Sequence, residues 1–155
     1  MVPLHLLIQG EIMSEIRKTI AISGGFDPVH VGHVQMIEEA ASMGDVMVIV
    51  NSDAWLMRKK GYVFMPWSER AYLMGQFKGV IKVVPVDDSD DSVCEALRTH
   101  KPDFFGNGGD RKNHNTPEMT MCADLGIDMI WGLGGEKVQS SSDLVRKVLY
   151  KPSGV

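Results

Sequence analysis

The sequence predicts an α/β fold of three layers, in which helices cover both faces of a mainly parallel sheet of about five strands. Three observations carry that prediction. The run Asp45-Val46-Met47-Val48-Ile49-Val50-Asn51 is apolar without a break between its ends, as a parallel strand covered on both faces should be. Strand-like and helix-like segments alternate along the chain, with no internal repeat and no linker. The stretch Ile20 to Met43 reads as strand, tight turn and helix: a β-branched run ends in Gly24-Gly25, and Val34, Ile37 and Ala41 then recur at helical spacing. One domain is expected over residues 14–150, after an N-terminal extension of residues 1–13, flexible or loosely docked, and before a tail of residues 151–155. Met13 is an alternative start.

Bulk properties bound the function. The chain has 155 residues, enough for one domain with a real core, and its 44% hydrophobic and 23% charged content is ordinary for a soluble globular protein. A net charge of −4 argues against broad binding to nucleic acid or anionic membranes, but leaves room for an anionic small substrate held by local cations. Cys94 and Cys122 have neither metal-ligand spacing nor a disulfide-rich setting, so reduced thiols in a cytoplasm are expected. No apolar run approaches the roughly 20 residues of a membrane span. The apolar patch Pro3 to Ile8 lacks the charged flank and cleavage site of a signal peptide.

The first unit carries the chemistry. Pro28 keeps the helix from starting before about His30, so the loop after Gly24-Gly25-Phe26-Asp27 is rigid. His30 and His33 then share one face of the first turn, with Gly32 between them leaving room for a base or ribose against the backbone. A helix N-terminus offers unpaired N–H groups and partial positive charge to a phosphate, and two imidazoles there can donate to charge that builds up in phosphoryl-type transfer.

Each later element has its own signal. Ser52-Asp53 caps a helix Ala54 to Gly61 that ends in Arg58-Lys59-Lys60. Met65-Pro66 enters a helix running to Phe77, whose core face is expected to carry Tyr72 or Leu73 with Gln76 and Phe77. A third strand covers Val80 to Val86. Asp87 to Ser92 lacks the glycine and terminal glutamate of a calcium loop, and is expected as a solvated loop whose Asp or Ser caps the helix Val93 to His100. Pro102 to Phe105 leads into the turn Gly106-Asn107-Gly108-Gly109-Asp110, at the strand end where such sheets bind ligands. A loop bearing Arg111, Lys112 and His114 follows. Thr116-Pro117-Glu118 starts a helix that Gly126 closes after Leu125, and Asp128 to Trp131 is the last strand. Ser140-Ser141-Ser142-Asp143 before an apolar stripe marks another helix N-terminus, with more hydroxyls than capping needs.

Gly24-Gly25-Phe26-Asp27-Pro28-Val29-His30-Val31-Gly32-His33 resembles the first signature of the cytidylyltransferase-like nucleotidyltransferases, and Gln139-Ser140-Ser141-Ser142-Asp143-Leu144 resembles their second. The likeness spans about Lys18 to Val148. It is greatest to the adenylyltransferase domain of ADP-heptose synthases and to glycerol-3-phosphate cytidylyltransferases. It implies a Rossmann-like sandwich and transfer of a nucleoside monophosphate from ATP or CTP to a phosphorylated acceptor, such as heptose 1-phosphate or glycerol 3-phosphate, with pyrophosphate released. In that scheme His30, His33, Lys60 and Arg70 act in catalysis. The nucleotide is bound by Gly24, Gly25, Phe26, Asp27, Gly32, His33, Gly108, Asp110, Ser140, Ser141 and Ser142. Arg58, Lys60, Arg111 and Lys137 face the acceptor. Magnesium is carried mainly by the triphosphate, with no metal site built by protein alone. The resembled enzymes often form dimers, which makes a homodimer one expectation. Gly25 stands where many relatives have a hydroxyl residue, Asn107 where a basic residue is frequent, and Gln139 where an apolar one is usual. The arginine that some members carry before the second signature is absent, Lys137 being the nearest cation. Two other classes share part of the pattern. A class I aminoacyl-tRNA synthetase has a similar histidine signature but needs a tRNA-binding domain and a basic surface. A non-catalytic nucleotide sensor would keep the binding residues and release no pyrophosphate.

Overall fold

A computed structural model describes residues 17–109 and 116–150. The central strand is β1 (Thr19–Gly24), flanked by β2 (Asp45–Val50) and β4 (Phe104–Gly108); β3 (Val80–Val84) and β5 (Asp128–Leu133) form the edges, in the order β3-β2-β1-β4-β5. Every pairing is parallel, with Ile20 opposite both Val46 and Phe104. The chain steps outward from β1 to β3 and then returns to β4 on the other side of β1. The order therefore reverses beside β1, and a crevice opens there at the carboxyl ends of the strands.

Helices lie on both faces, as the sequence predicts. From α1 (Val31–Met43), Met36, Ile37 and Ala40 pack on one face with Ile20, Ile22, Val46 and Val48, and Met74 of α3 (Trp67–Gly75) joins them. On the opposite face Ala96 and Leu97 of α4 (Cys94–His100) and Cys122 of α5 (Pro117–Leu125) cover Ala21, Met47, Ile49 and Phe105. Alternate residues of β1 and β2 thus enter different cores, which is why β2 is apolar throughout. Two short helices, α2 (Asp53–Lys60) and α6 (Ser141–Leu149), start at the crevice end of the molecule. Ser52 caps α2 and Gly61, at φ 80°, closes it in the left-handed conformation that favours glycine. Among the described residues no helix is long and apolar enough to cross a membrane. Cys94 and Cys122 are free and buried, and burial pushes the Cys122 thiol up to about 11, so it is an unreactive packing group at neutral pH.

Three local expectations are corrected. The buried stripe of α1 is Met36, Ile37 and Ala40, with Ala41 packed at its edge as expected; Met36 takes the place expected of Val34. Phe77, just beyond α3, packs against the core as expected, but on α3 itself the inward residues are Arg70 and Met74, while Tyr72 is 70% exposed; the helix is rotated so that Arg70 can reach buried carbonyls. The acidic loop is not simply solvated. Asp88 is buried and accepts from Asn51 Nδ2 (3.1 Å), Ser52 N (2.8 Å) and Ser52 Oγ (2.6 Å), clamping the turn after β2. The N-cap of α4 is Val93, with no side-chain cap; its N–H instead donates to Glu118 Oε1 at 3.2 Å. Asp88→Ala strands the Asn51 amide, and a loss of about 2 kcal/mol is expected, read as a lower urea midpoint with an unchanged m-value.

Candidate active site

The start of α1 is built from its two histidines. His30 is the N-cap, in extended conformation, and its Nδ1 accepts from Gly32 N at 3.1 Å; His33 Nδ1 accepts from His30 N at 3.1 Å. This is a capping box made with imidazoles in place of the usual hydroxyl and carboxylate. The rings stack at 3.8 Å between centroids, and Phe26 meets His33 edge-on at 4.9 Å. A Cβ on Gly32 would lie 3.0 Å from His30 Cε1, so the glycine makes room for the capping ring and not only for a ligand. Because each Nδ1 is an acceptor, each neutral ring carries its proton on Nε2.

Electrostatics hold them neutral. Burial lowers the His30 pKa, helped by the positive charges of Lys137 and Lys60. His33 is pushed down to about 3, first by burial, then by His30 and Lys60. Burial also lowers Lys60, with Asp27 opposing and Arg70 reinforcing the shift. Both imidazoles are therefore uncharged Nε2–H donors through neutral pH. In the unfolded chain a histidine binds its proton near the ordinary 6.5, whereas folded His33 does not until about 3. Below 6.5 the unfolded state thus binds more protons, and stability is expected to fall by up to about 1.4 kcal/mol per pH unit, levelling off near the folded value. Urea titrations at several pH values measure this, and His33→Asn should flatten the slope.

A cavity of about 480 Å³ opens in front of these rings, over the ends of β1 and β4. At this end it is lined by Gly24, Gly25, Phe26, His30, Gly32, His33, Lys60 and Gly108, together with Lys137 and Ser140–Ser142 from the start of α6. The two helix N-termini are bolted together: the Ser141 hydroxyl donates to the Pro28 carbonyl at 2.7 Å. Ser140 Oγ accepts from Asp143 N at 3.0 Å and so caps α6 while its own proton stays available. The arrangement is two helix starts, two imidazole donors, two serine hydroxyls and lysines around one space, which suits a polyphosphate.

Several residues expected in the site stand elsewhere. Arg70 is fully buried and does not line the cavity. Its guanidinium donates to Met65 O (2.9 Å), Gly25 O (2.8 Å), Asn51 O (2.7 Å) and Asp53 Oδ1 (2.6 Å), so it positions the glycine turn from behind instead of meeting phosphate. Asp27 is also buried, its carboxylate accepting from Phe64 N and Met65 N at 2.6 Å each. Arg58 does not itself line the cavity; it reaches Asp91 Oδ1, at the cavity's edge, and the Asp88 carbonyl. Asn107 lines the cavity, buried at the end of β4. Asp110, Arg111, Lys112 and His114 lie outside the described residues. Sequence reasoning missed a second group of lining residues, Asn51, Trp55, Lys59, Asp91 and Glu118. Only the sheet topology brings these together, since they come from the end of β2, from α2, from the turn before α4 and from the start of α5.

The chain belongs to the cytidylyltransferase-like family, whose model matches residues 21–147. Among curated relatives, Bifunctional protein HldE of Gluconobacter oxydans is 33% identical over 146 residues, 88% of this chain and 28% of its own length. Bifunctional protein HldE of Nitratiruptor sp. is 35% identical over 109 residues, covering 68% of this chain and 23% of its own. The chain thus spans about a quarter of the length of these relatives. Among solved structures, the lipopolysaccharide core biosynthesis protein from Thermoplasma volcanium superposes with a TM-score of 0.65 at 23% identity, over 79% of this chain and 100% of that one. A bifunctional NMN adenylyltransferase/ADP ribose pyrophosphatase from Francisella tularensis gives 0.62 at 13% identity, over 85% of this chain and 42% of its own. At these identities the superpositions establish the fold alone.

Proposed function

We propose that this protein transfers a nucleoside monophosphate from ATP or CTP to the phosphate of a sugar phosphate and releases pyrophosphate. The observation that carries the reading is the convergence of α1 and α6 on one cavity, with Ser141 tied to Pro28 and both histidines presenting Nε2–H. An oxygen of the acceptor phosphate forms a bond to the α-phosphorus. The bond from that phosphorus to the bridging oxygen breaks, and the oxygen leaves with the electron pair as part of pyrophosphate.

The histidines hold a proton and do not take one. Each Nδ1 is engaged in capping and each Nε2 is protonated, so neither is a general base. None is needed, because a phosphate nucleophile is already ionised at neutral pH. His30 and His33 donate to the oxygens that gain charge, Lys60 adds positive charge, and Ser140, Ser142 and the N–H groups of α6 hold the departing phosphates. Catalysis is then positioning and charge stabilisation in a preorganised site. The triphosphate end offers lysines, hydroxyls and protonated nitrogens, and no group of three or more His, Cys, Asp or Glu suited to a metal occurs among the described residues. Magnesium fits there as an ion held through triphosphate oxygens and water, neutralising their charge.

The sugar phosphate acceptor is supported by the resemblance to ADP-heptose synthases. A homodimer in the cytoplasm belongs to the same proposal, and sedimentation velocity tests the assembly. Pyrophosphate release with magnesium, crossing ATP and CTP against heptose 1-phosphate, glycerol 3-phosphate, phosphocholine, phosphoethanolamine and phosphopantetheine, tests the reaction. One productive pair with a sugar phosphate supports it; silence across the panel in a folded protein that binds nucleotide favours a sensor.

A further inference from the structure

We propose that Glu39 is a positioning residue for the phosphate end of the cavity: it sets the register of the loop 134–140 on α1, so that Lys137 and not Glu136 meets the phosphates. The proposal rests on the transfer reading above and adds to it the residue that aims the charge. The loop from β5 to α6 needs such a fix. Gly132, Gly134 and Gly135 stand at φ 79°, 81° and 72°, in the left-handed region, and glycines leave a chain the most freedom to move. The loop then carries opposite charges side by side, Glu136 and Lys137, and both line the cavity. A slip of one residue would offer a carboxylate where an ammonium stands, and a carboxylate repels phosphate.

Two hydrogen bonds tie this segment to the α1 unit, one at each end. At its start Gly134 N donates to Glu39 Oε2 at 2.6 Å, across 95 residues of sequence. At its end Ser141 Oγ donates to the Pro28 carbonyl at 2.7 Å. Gly134 lies flat on α1, where an added Cβ would stand 3.1 Å from Met36 N. Met36 and Glu39 are three apart and share that helix face. From the other side the end of β4 backs the loop, since a Cβ on Gly109 would collide with the Gly135 carbonyl.

Glycine resting on backbone resists compression but not sliding. The carboxylate bond is directional and charge-assisted, so it is the contact that selects one register. Glu39 is exposed and belongs to neither core, so its bond adds little to the stability of the fold. Its effect falls on the loop. Lys137 stands between the two ties, close enough to His30 for its charge to act on the ring together with that of Lys60.

Glu39→Ala removes the acceptor at an exposed helix position, where alanine is the best helix former, so the variant folds. Glu39→Gln keeps an oxygen for Gly134 N. Calorimetry with inorganic pyrophosphate and magnesium as probe compares both with the wild type. The wild type is expected to bind pyrophosphate, Glu39→Ala to bind it about 5- to 10-fold more weakly, and Glu39→Gln to stay within about twofold of the wild type. A nuclear magnetic resonance titration of His30 gives a second readout. With Lys137 no longer held beside the ring, the His30 pKa in Glu39→Ala should rise toward the ordinary 6.5, stopping short because burial and Lys60 still lower it. A bond that served only the fold would move neither. Equal pyrophosphate binding by Glu39→Ala and the wild type overturns the proposal, as does an unmoved His30 titration, a Glu39→Gln as weak as Glu39→Ala, or a wild type that binds no pyrophosphate. Pyrophosphate release from ATP or CTP is read separately. Release by the wild type, with Glu39→Ala binding pyrophosphate equally well, removes this inference and leaves the transfer reading standing. Binding that depends on Glu39, without release from any nucleotide and acceptor, does the reverse.

Discussion

His30→Ala is expected to lower turnover roughly 10²- to 10³-fold, the loss found when one donor to developing charge is removed from a preorganised site. Nucleotide affinity should change far less, since Lys60, Lys137 and the start of α6 still surround the triphosphate. The same substitution removes the cap on Gly32 N, which costs about 1 kcal/mol of stability. His30→Asn separates the two effects. Asparagine caps a helix as well as any residue but cannot place a donor where Nε2–H stands. It should restore the melting temperature and leave turnover low. Full turnover in either variant would remove the imidazole from the mechanism and leave it a capping residue.

Arg70→Met is expected to cost about 3–5 kcal/mol, the penalty for removing one partner of a buried charged network. That is a large part of the roughly 5–15 kcal/mol that holds a domain folded. The carbonyls of Gly25, Asn51 and Met65 lose their donor together, and no water channel replaces it because the guanidinium is wholly buried. Arg70→Lys should be nearly as damaging, since an ammonium cannot reproduce the planar fork. Urea unfolding measures the loss, and turnover per folded molecule separates the two roles. A stable variant with turnover down 100-fold would instead put Arg70 on the substrate, as the family resemblance implies.

The parts of this molecule that were legible in its sequence are those with a local cause. The apolar run of β2, the Ser52 and Ser140 caps, the Gly61 and Gly126 terminators and the histidine pair at the start of α1 all follow from residues a few positions apart. Charged residues were read less well. Arg70, Asp27 and Asp88 look like ligand-binding residues or solvated ones, yet each is spent on backbone groups far along the chain: Arg70 on Gly25, Asp27 on Phe64, Asp88 on Ser52. A buried ion is chosen by which orphan carbonyls or N–H groups the fold brings to it, and a linear motif holds no record of that. Glu118 was invisible as a site residue for the same reason, because its neighbours in the cavity wall come from the other side of the strand-order reversal.

The most direct test of the account follows the phosphorus atoms. Given ATP or CTP labelled at the α-phosphate, with magnesium and heptose 1-phosphate, the label should appear in a nucleoside diphosphate sugar. Given the γ-labelled nucleotide, all released label should be in pyrophosphate. Label from the γ-position on the sugar or in inorganic phosphate, or no transfer by a protein that binds the nucleotide, would contradict the assignment of α1 and α6 as the two halves of a nucleotidyl-transfer site.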